Sequence, residues 1–171
     1  MIKVTDLATF NRMAENPLPN TTYEYGSYAW RTDSKGRVDQ VSGTIDPKDH
    51  GRQTTDSITT TNIGKDKGSK SGDVGFYLIG NQFNGPINRL NVVPGNGKPS
   101  NGVANLNQGA YASKFESKVK ALAAAGKKVE VRIEPIYRSG NNTTRPDTIR
   151  TSYRIENGTW RTRTFKNQAG G

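Results

Sequence analysis

Two stretches near the C-terminal end alternate apolar with polar or charged residues at a period of two, and they narrow the choice of fold more than any other feature. Val129, Val131 and Ile133 alternate with Glu130, Arg132 and Glu134; Ile149, Thr151, Tyr153 and Ile155 alternate with Arg150, Ser152 and Arg154. Successive side chains on a strand point to opposite faces, so each stretch predicts a strand with one buried and one wet face. Asn157-Gly158 predicts a two-residue hairpin turn into a third strand over Thr159–Lys166. Near the start, Thr22–Arg31 is rich in Tyr and Trp, Arg37–Ile45 alternates through Val38 and Val41, and Asp33-Ser34-Lys35-Gly36 supplies a turn between them.

One helix stands out. Tyr111, Phe115, Val119 and Leu122 recur at helical spacing, alanines fill the same face, and Gly126 stands where a helix C-terminal glycine belongs. A shorter helix is predicted from the Thr5-Asp6 cap through Leu7, Phe10 and Met13, ended by Asn16-Pro17-Leu18-Pro19-Asn20. Residues 1–20 read as an edge segment or linker, 21–167 as the domain proper and 168–171 as a tail. Residues 46–72 read as a long polar loop, Val74–Ile79 as a short apolar strand, and Asn84–Asn105 as a loop again. The expected class is α+β: a mainly antiparallel sheet packed by one long core helix over Asn107–Ala125.

The chain has 171 residues, with 25 Lys+Arg against 15 Asp+Glu and a formal charge of +10. That surplus favours a polyanionic partner, whether nucleic acid, an acidic protein or an anionic surface, over a domain that is basic without consequence. Arg132, Arg150 and Arg154 fall on the outward register of their strands, and Arg161 and Arg163 share a face of theirs. This is either a ladder for phosphates or a solvated, aggregation-resistant edge. There is no cysteine, so disulfides and thiolate metal sites are excluded. No run approaches 18 apolar residues, so no membrane-spanning segment is expected, and the opening Met1-Ile2-Lys3-Val4 has no signal-peptide character.

The chemistry is expected between Gly72 and Glu116. Gly72-Asp73-Val74-Gly75-Phe76-Tyr77-Leu78-Ile79-Gly80 is followed by Asn91-Val92-Val93-Pro94, then by Asn105-Leu106-Asn107-Gln108-Gly109-Ala110-Tyr111, with Glu116 further along the helix. In this order the blocks resemble the DNA/RNA non-specific endonucleases, particularly the branch at the ends of bacterial polymorphic toxins. The Tyr23–Val38 hairpin, Arg145-Pro146-Asp147 and Thr164-Phe165-Lys166-Asn167 extend the resemblance over roughly residues 20 to 167.

The resemblance implies a ββα-metal site holding one Mg2+ or Mn2+. Asn107 matches the amide ligand, Glu116 matches the acidic residue that orients metal-bound water, and Asn91 matches a supporting asparagine. There is one residue more between Asn107 and Glu116 than in the family pattern. Magnesium keeps much of its water, which suits so sparse a ligand set. Taken alone, Asn107 reads as a helix cap and Glu116 as an exposed helix residue. Arg52 matches an arginine on the scissile phosphate, and the single histidine, His50, reads as a loop residue.

Where the family has its general-base histidine, this chain has Tyr77. An ordinary phenol titrates near 10 and is a poor base at neutral pH, so loss of base assistance is expected to lower the rate by about 10² to 10⁴. Three explanations stay open: an inactivated variant, a natural member that kept only its groove, or a tyrosinate base. The implied function is a non-specific DNA or RNA endonuclease toxin domain, impaired at Tyr77. It would be delivered into a target bacterial cell as the end of a larger polypeptide and blocked by an acidic immunity protein. The other readings are a non-catalytic nucleic-acid binder and a protein-interaction module with a basic face.

Overall fold

Strand pairing begins at the second residue. In the computed structural model, which describes residues 1–49 and 54–171, β1 (Ile2–Lys3) lies parallel to β2 (Thr22–Tyr25). Between them runs α1 (Leu7–Met13), whose first turn is capped by Asp6 Oδ1 accepting from the Thr9 N–H at 2.9 Å. Phe10 and Ala14 are fully buried, and the Phe10 ring lies 5.0 Å from that of Trp30 and 5.2 Å from that of Tyr25. The segment expected as a linker is therefore part of the core. Burying a side chain such as Phe10 stabilises the fold by about 2–3 kcal/mol, which holds the N-terminal segment to the sheet.

The remaining strands of the main sheet are antiparallel: β3 (Tyr28–Thr32), β4 (Val38–Thr44), β7 (Val129–Ile136), β8 (Thr148–Ile155) and β9 (Arg161–Lys166), in the order β1-β2-β3-β4-β7-β8-β9. Thr22–Arg31, read as one strand, is itself a hairpin that turns at Gly26-Ser27, where Gly26 has a φ of +59°. At the last hairpin the positive-φ residues are Glu156 and Asn157, one position earlier than the sequence suggests.

A second sheet pairs β5 (Asp73–Tyr77) with β6 (Val92–Asn96), which lies inside the segment expected to be a loop. The other expected loop also contains an element: α2 (Thr54–Gly64). Its threonine-rich sequence has no apolar stripe, and β-branched residues are weak helix formers. The helix is held by close backbone contact. A Cβ on Gly64 would lie 2.7 Å from the Gly75 nitrogen, and one on Gly75 would lie 2.3 Å from Thr60 Cγ2. Two glycines thus let α2 lie directly on β5.

The core lies between the main sheet and the helical segment Leu106–Ala124. Trp30, Val41, Val131, Ile133 and Ile149 on the sheet pack with Phe76, Leu78, Tyr111, Phe115 and Val119. The helical segment ends at Gly126, whose φ of +80° is the left-handed conformation that glycine adopts without cost.

Candidate active site

Alternation along β5 decides where Tyr77 points. Phe76 and Leu78 enter the main core, so Tyr77 faces the other way, onto a small apolar cluster with Ile63 of α2 and Val92 of β6. Its ring is buried, and its hydroxyl lies 2.9 Å from Thr60 Oγ1. Its inner neighbours are fixed by Tyr111, whose ring meets Phe76 edge-on at 4.6 Å and whose hydroxyl donates to the Leu78 carbonyl at 3.0 Å. The site strand and the site helix are therefore locked together one turn from the residues of interest.

Asn107 and Glu116 lie nine positions apart on this helical segment. At 3.6 residues per turn, that separation is two and a half α turns and would put the side chains on opposite faces. The chain instead forms two successive π turns, Leu106–Ala110 and Ala112–Glu116, before α3 (Ser117–Ala124). A π turn is wider than an α turn by roughly one residue, so nine residues make about two turns. Both side chains reach one cleft.

The cap belongs to Asn105, not Asn107: Asn105 Oδ1 accepts from the Gln108 N–H at 2.8 Å. Asn107 is thereby spared from capping, and among the described residues nothing hydrogen-bonds its amide.

The cleft, of about 490 Å³, is lined by Tyr77, Asn81, Gln82, Asn107 and Glu116 among others. Glu116 Oε2 lies over Gly80, 3.0 Å from where a Cβ would stand, so a side chain there would press on the carboxylate. Burial pushes the Glu116 carboxyl up to about 7, against a smaller opposing effect from a side-chain hydrogen bond with Gln82. Beside it, Asn81 Oδ1 is buried with no hydrogen-bond partner in the structure. An unpaired buried carbonyl oxygen is costly unless something electropositive occupies the space before it. Among the described residues no three His, Cys, Asp or Glu side chains cluster as a metal site. The Asn81 and Asn107 amide oxygens and the Glu116 carboxylate, with the Asp49 carboxylate also in the lining, make an all-oxygen set that fits a hard, largely hydrated divalent cation. Asn81 carried no signal in the sequence beyond its place after Gly80.

Asn91 lies outside the cleft. It is fully buried, its Oδ1 accepts from Trp30 Nε1 at 3.2 Å and from the Ile79 N–H at 3.1 Å, and its Nδ2 donates to the Ile79 and Pro86 carbonyls at 2.8 Å each. Its amide is fully used, tying Ile79, one residue before Gly80, to Trp30 and Pro86. Arg52 and His50 lie outside the described residues.

A second lock fixes the start of β5. Arg145 Nε donates to Asp73 Oδ2 at 2.7 Å and its Nη2 to Oδ1 at 3.2 Å, both side chains being nearly inaccessible. Arg145 Nη2 also donates to the Asn167 carbonyl at 3.0 Å, and Asn167 in turn bonds Pro94, Pro146 and Asn96.

The arginine ladder divides between two faces. On the outward face Arg150 makes a two-pronged pair with Glu134 at 2.9 and 3.2 Å, and Arg154 pairs with Glu130 at 2.9 Å, while Arg132 and Arg154 flank the Trp160 ring at 4.9 Å. Much of that charge is cancelled locally. Arg161 and Arg163 lie opposite Tyr153 and Thr151 on the helix side.

A sequence profile of the DNA/RNA non-specific endonuclease family matches residues 19–157. The fold is similar to NucA from Streptococcus agalactiae without metal (TM-score 0.58, 16% identity, covering 90% of this chain and 77% of that one). It is similar to the same protein with a magnesium ion bound (0.58, 17%, 91% and 76%). A structure described as an extracellular endonuclease matches with a TM-score of 0.56 at 17% identity, covering 94% of this chain and 87% of the other.

Proposed function

Because this chain belongs to the DNA/RNA non-specific endonuclease family, we propose that its cleft hydrolyses phosphodiesters of DNA or RNA with a divalent cation, and that Tyr77 leaves this activity impaired. The observation that carries the reading is the convergence of Tyr77 on β5 with Asn107 and Glu116, two turns apart on the helical segment, on one cleft.

Asn107 and Asn81 would hold a Mg2+ or Mn2+ ion by their amide oxygens, with Glu116 orienting its water. When bound, such a cation stabilises charge on the phosphate and the departing oxygen. The chain's own residues do the rest. Gly80 and Gln82 set the Glu116 carboxylate, Asn105 frees Asn107, and Tyr111 fixes the helix against β5. Tyr77 fills the base position, but its hydroxyl is engaged with Thr60, and a phenol accepts a proton poorly at neutral pH. That engagement favours the second reading, a nucleic-acid binder without cleavage.

The surplus of ten positive charges supports an acidic immunity protein as partner, since complementary charge speeds such encounters. A neighbouring structure described as an extracellular endonuclease supports action outside the producing cell, and the resemblance to polymorphic-toxin ends is what suggests delivery as part of a larger toxin. Among the described residues no helix is long and apolar enough to cross a membrane. Degradation of plasmid DNA or RNA by a Tyr77→His protein in magnesium supports the reading; a folded revertant inert on both overturns it.

A further inference from the structure

We propose that a groove on the other side of the site helix binds a single phosphodiester strand, separately from the cleft. Its walls are two rows of cations, Lys114 and Lys118 on the helix and Arg161 and Arg163 on β9, and Thr151 and Tyr153 lie between them in a pocket of about 170 Å³. The pocket has no carboxylate in its lining, and among the described residues none of the four cations has an ion-pair partner. The contrast with the opposite face of the same sheet is sharp: there Glu130 and Glu134 of β7 neutralise Arg154 and Arg150 of β8. Four like charges around one pocket repel one another, and an anion would relieve that repulsion.

The spacing selects the anion. Arg161 and Arg163 are two residues apart on a strand, about 7 Å, and Lys114 and Lys118 are about one helical turn apart. Two parallel cationic rows suit a chain of regularly spaced phosphates better than one isolated anion. Tyr153 is only partly buried, held by Phe115 at 6.5 Å between ring centres, and lies in the pocket lining. Cations that follow a backbone beside an aromatic ring that a base can stack on are the pattern of single-strand binding. Lys114 and Lys118 each stand two residues from Glu116, close to half a helical turn, so the groove and the cleft lie on different sides of the helix.

Fluorescence anisotropy of a labelled oligothymidylate at several salt concentrations tests this on the whole chain. Replacing both Arg161→Ser and Arg163→Ser is expected to weaken binding at least tenfold and to reduce the slope of log K against log salt by about 1.4, as two lost phosphate contacts on a single strand require. Tyr153→Leu is expected to weaken binding roughly tenfold with the slope unchanged. The charge-matched Lys3→Ser/Lys67→Ser protein is expected to bind as the parent does.

Parent-like affinity and slope in the Arg161/Arg163 variant overturns the proposal, as does a parent that binds no oligonucleotide. A poly-glutamate peptide that binds through Arg161 and Arg163 where the oligonucleotide does not also overturns it, in favour of an acidic protein partner. Cleavage by Tyr77→His is scored separately. An inert cleft with Arg161-dependent binding leaves the groove standing, and an active cleft with Arg161-independent binding removes it.

Discussion

The hydroxyl of Tyr77 lies 2.9 Å from Oγ1 of Thr60, joining the strand that carries the site to the helix that lies across it. A buried hydrogen bond of this kind contributes about 1 kcal/mol net. Thr60→Val is therefore expected to lower the melting temperature by about 2–4 °C without changing the far-ultraviolet spectrum. A melting temperature equal to the parent's would show that the contact adds nothing.

Gly75 is the point where α2 meets β5, and an added Cβ would lie 2.3 Å from Thr60 Cγ2 and 2.4 Å from the Thr60 carbonyl oxygen. Both atoms belong to a helix backed against a strand, so relief requires moving backbone. Gly75→Ala is expected to destabilise the fold by about 1–3 kcal/mol, read as a lower urea midpoint, and to loosen the Tyr77–Thr60 contact. Gly26→Ala is a useful comparison, since nothing lies within 4 Å of its added carbon and only its φ of +59° resists the change.

The pair Arg145–Asp73 is buried on both sides. Arg145→Ala leaves the Asp73 carboxylate without its cation inside the protein, with an expected loss of about 3–5 kcal/mol in chemical denaturation. The same substitution frees the Asn167 carbonyl and unpins the start of β5.

Glu116 gives the pH dependence. Its carboxyl is raised from 4.5 to about 7 in the fold, chiefly by burial. Between those values the unfolded chain has lost the proton and the folded protein keeps it, so the unfolded state binds fewer protons and stability falls as pH rises through that window. Urea midpoints at pH 5 and pH 8 should show a decline in the parent that is reduced in Glu116→Gln. A cation in the cleft favours the ionised carboxylate, so magnesium affinity should rise as pH passes 7 in the parent and stay nearly flat in the variant.

What could be read from the chain follows from how local each signal is. The strands at Val129–Ile136 and Thr148–Ile155 and the helix around Tyr111 carry their periodicity in the sequence itself, and the structure places them there. α2 was hidden because its contacts are with distant residues, the close approach at Gly64 and Gly75 and the burial of Ile63 against Tyr77 and Val92, and leave no apolar stripe in the sequence. β6 was hidden by Pro94 and its asparagine-rich flanks, whose turn chemistry masks a strand paired, among the described residues, with β5 alone.

At the site, the blocks around Tyr77 and Asn107 were visible, and so was Glu116. The resemblance put Glu116 at the site with Asn107, but helical periodicity alone would place it on the far side, and it is the π turns that bring it round to the cleft. Asn81 was invisible for a related reason: the lack of a partner for its Oδ1 exists only once the cleft is folded around it.

A crystal soaked in manganese, with its anomalous scattering mapped, bears most directly on the cleft. A peak within coordination distance of Asn107 Oδ1, on the side that faces Tyr77 and Glu116, is the predicted result, and it should vanish in Asn107→Ala. A manganese peak elsewhere on the molecule, with the cleft between Asn107 and Tyr77 empty, would contradict the assignment.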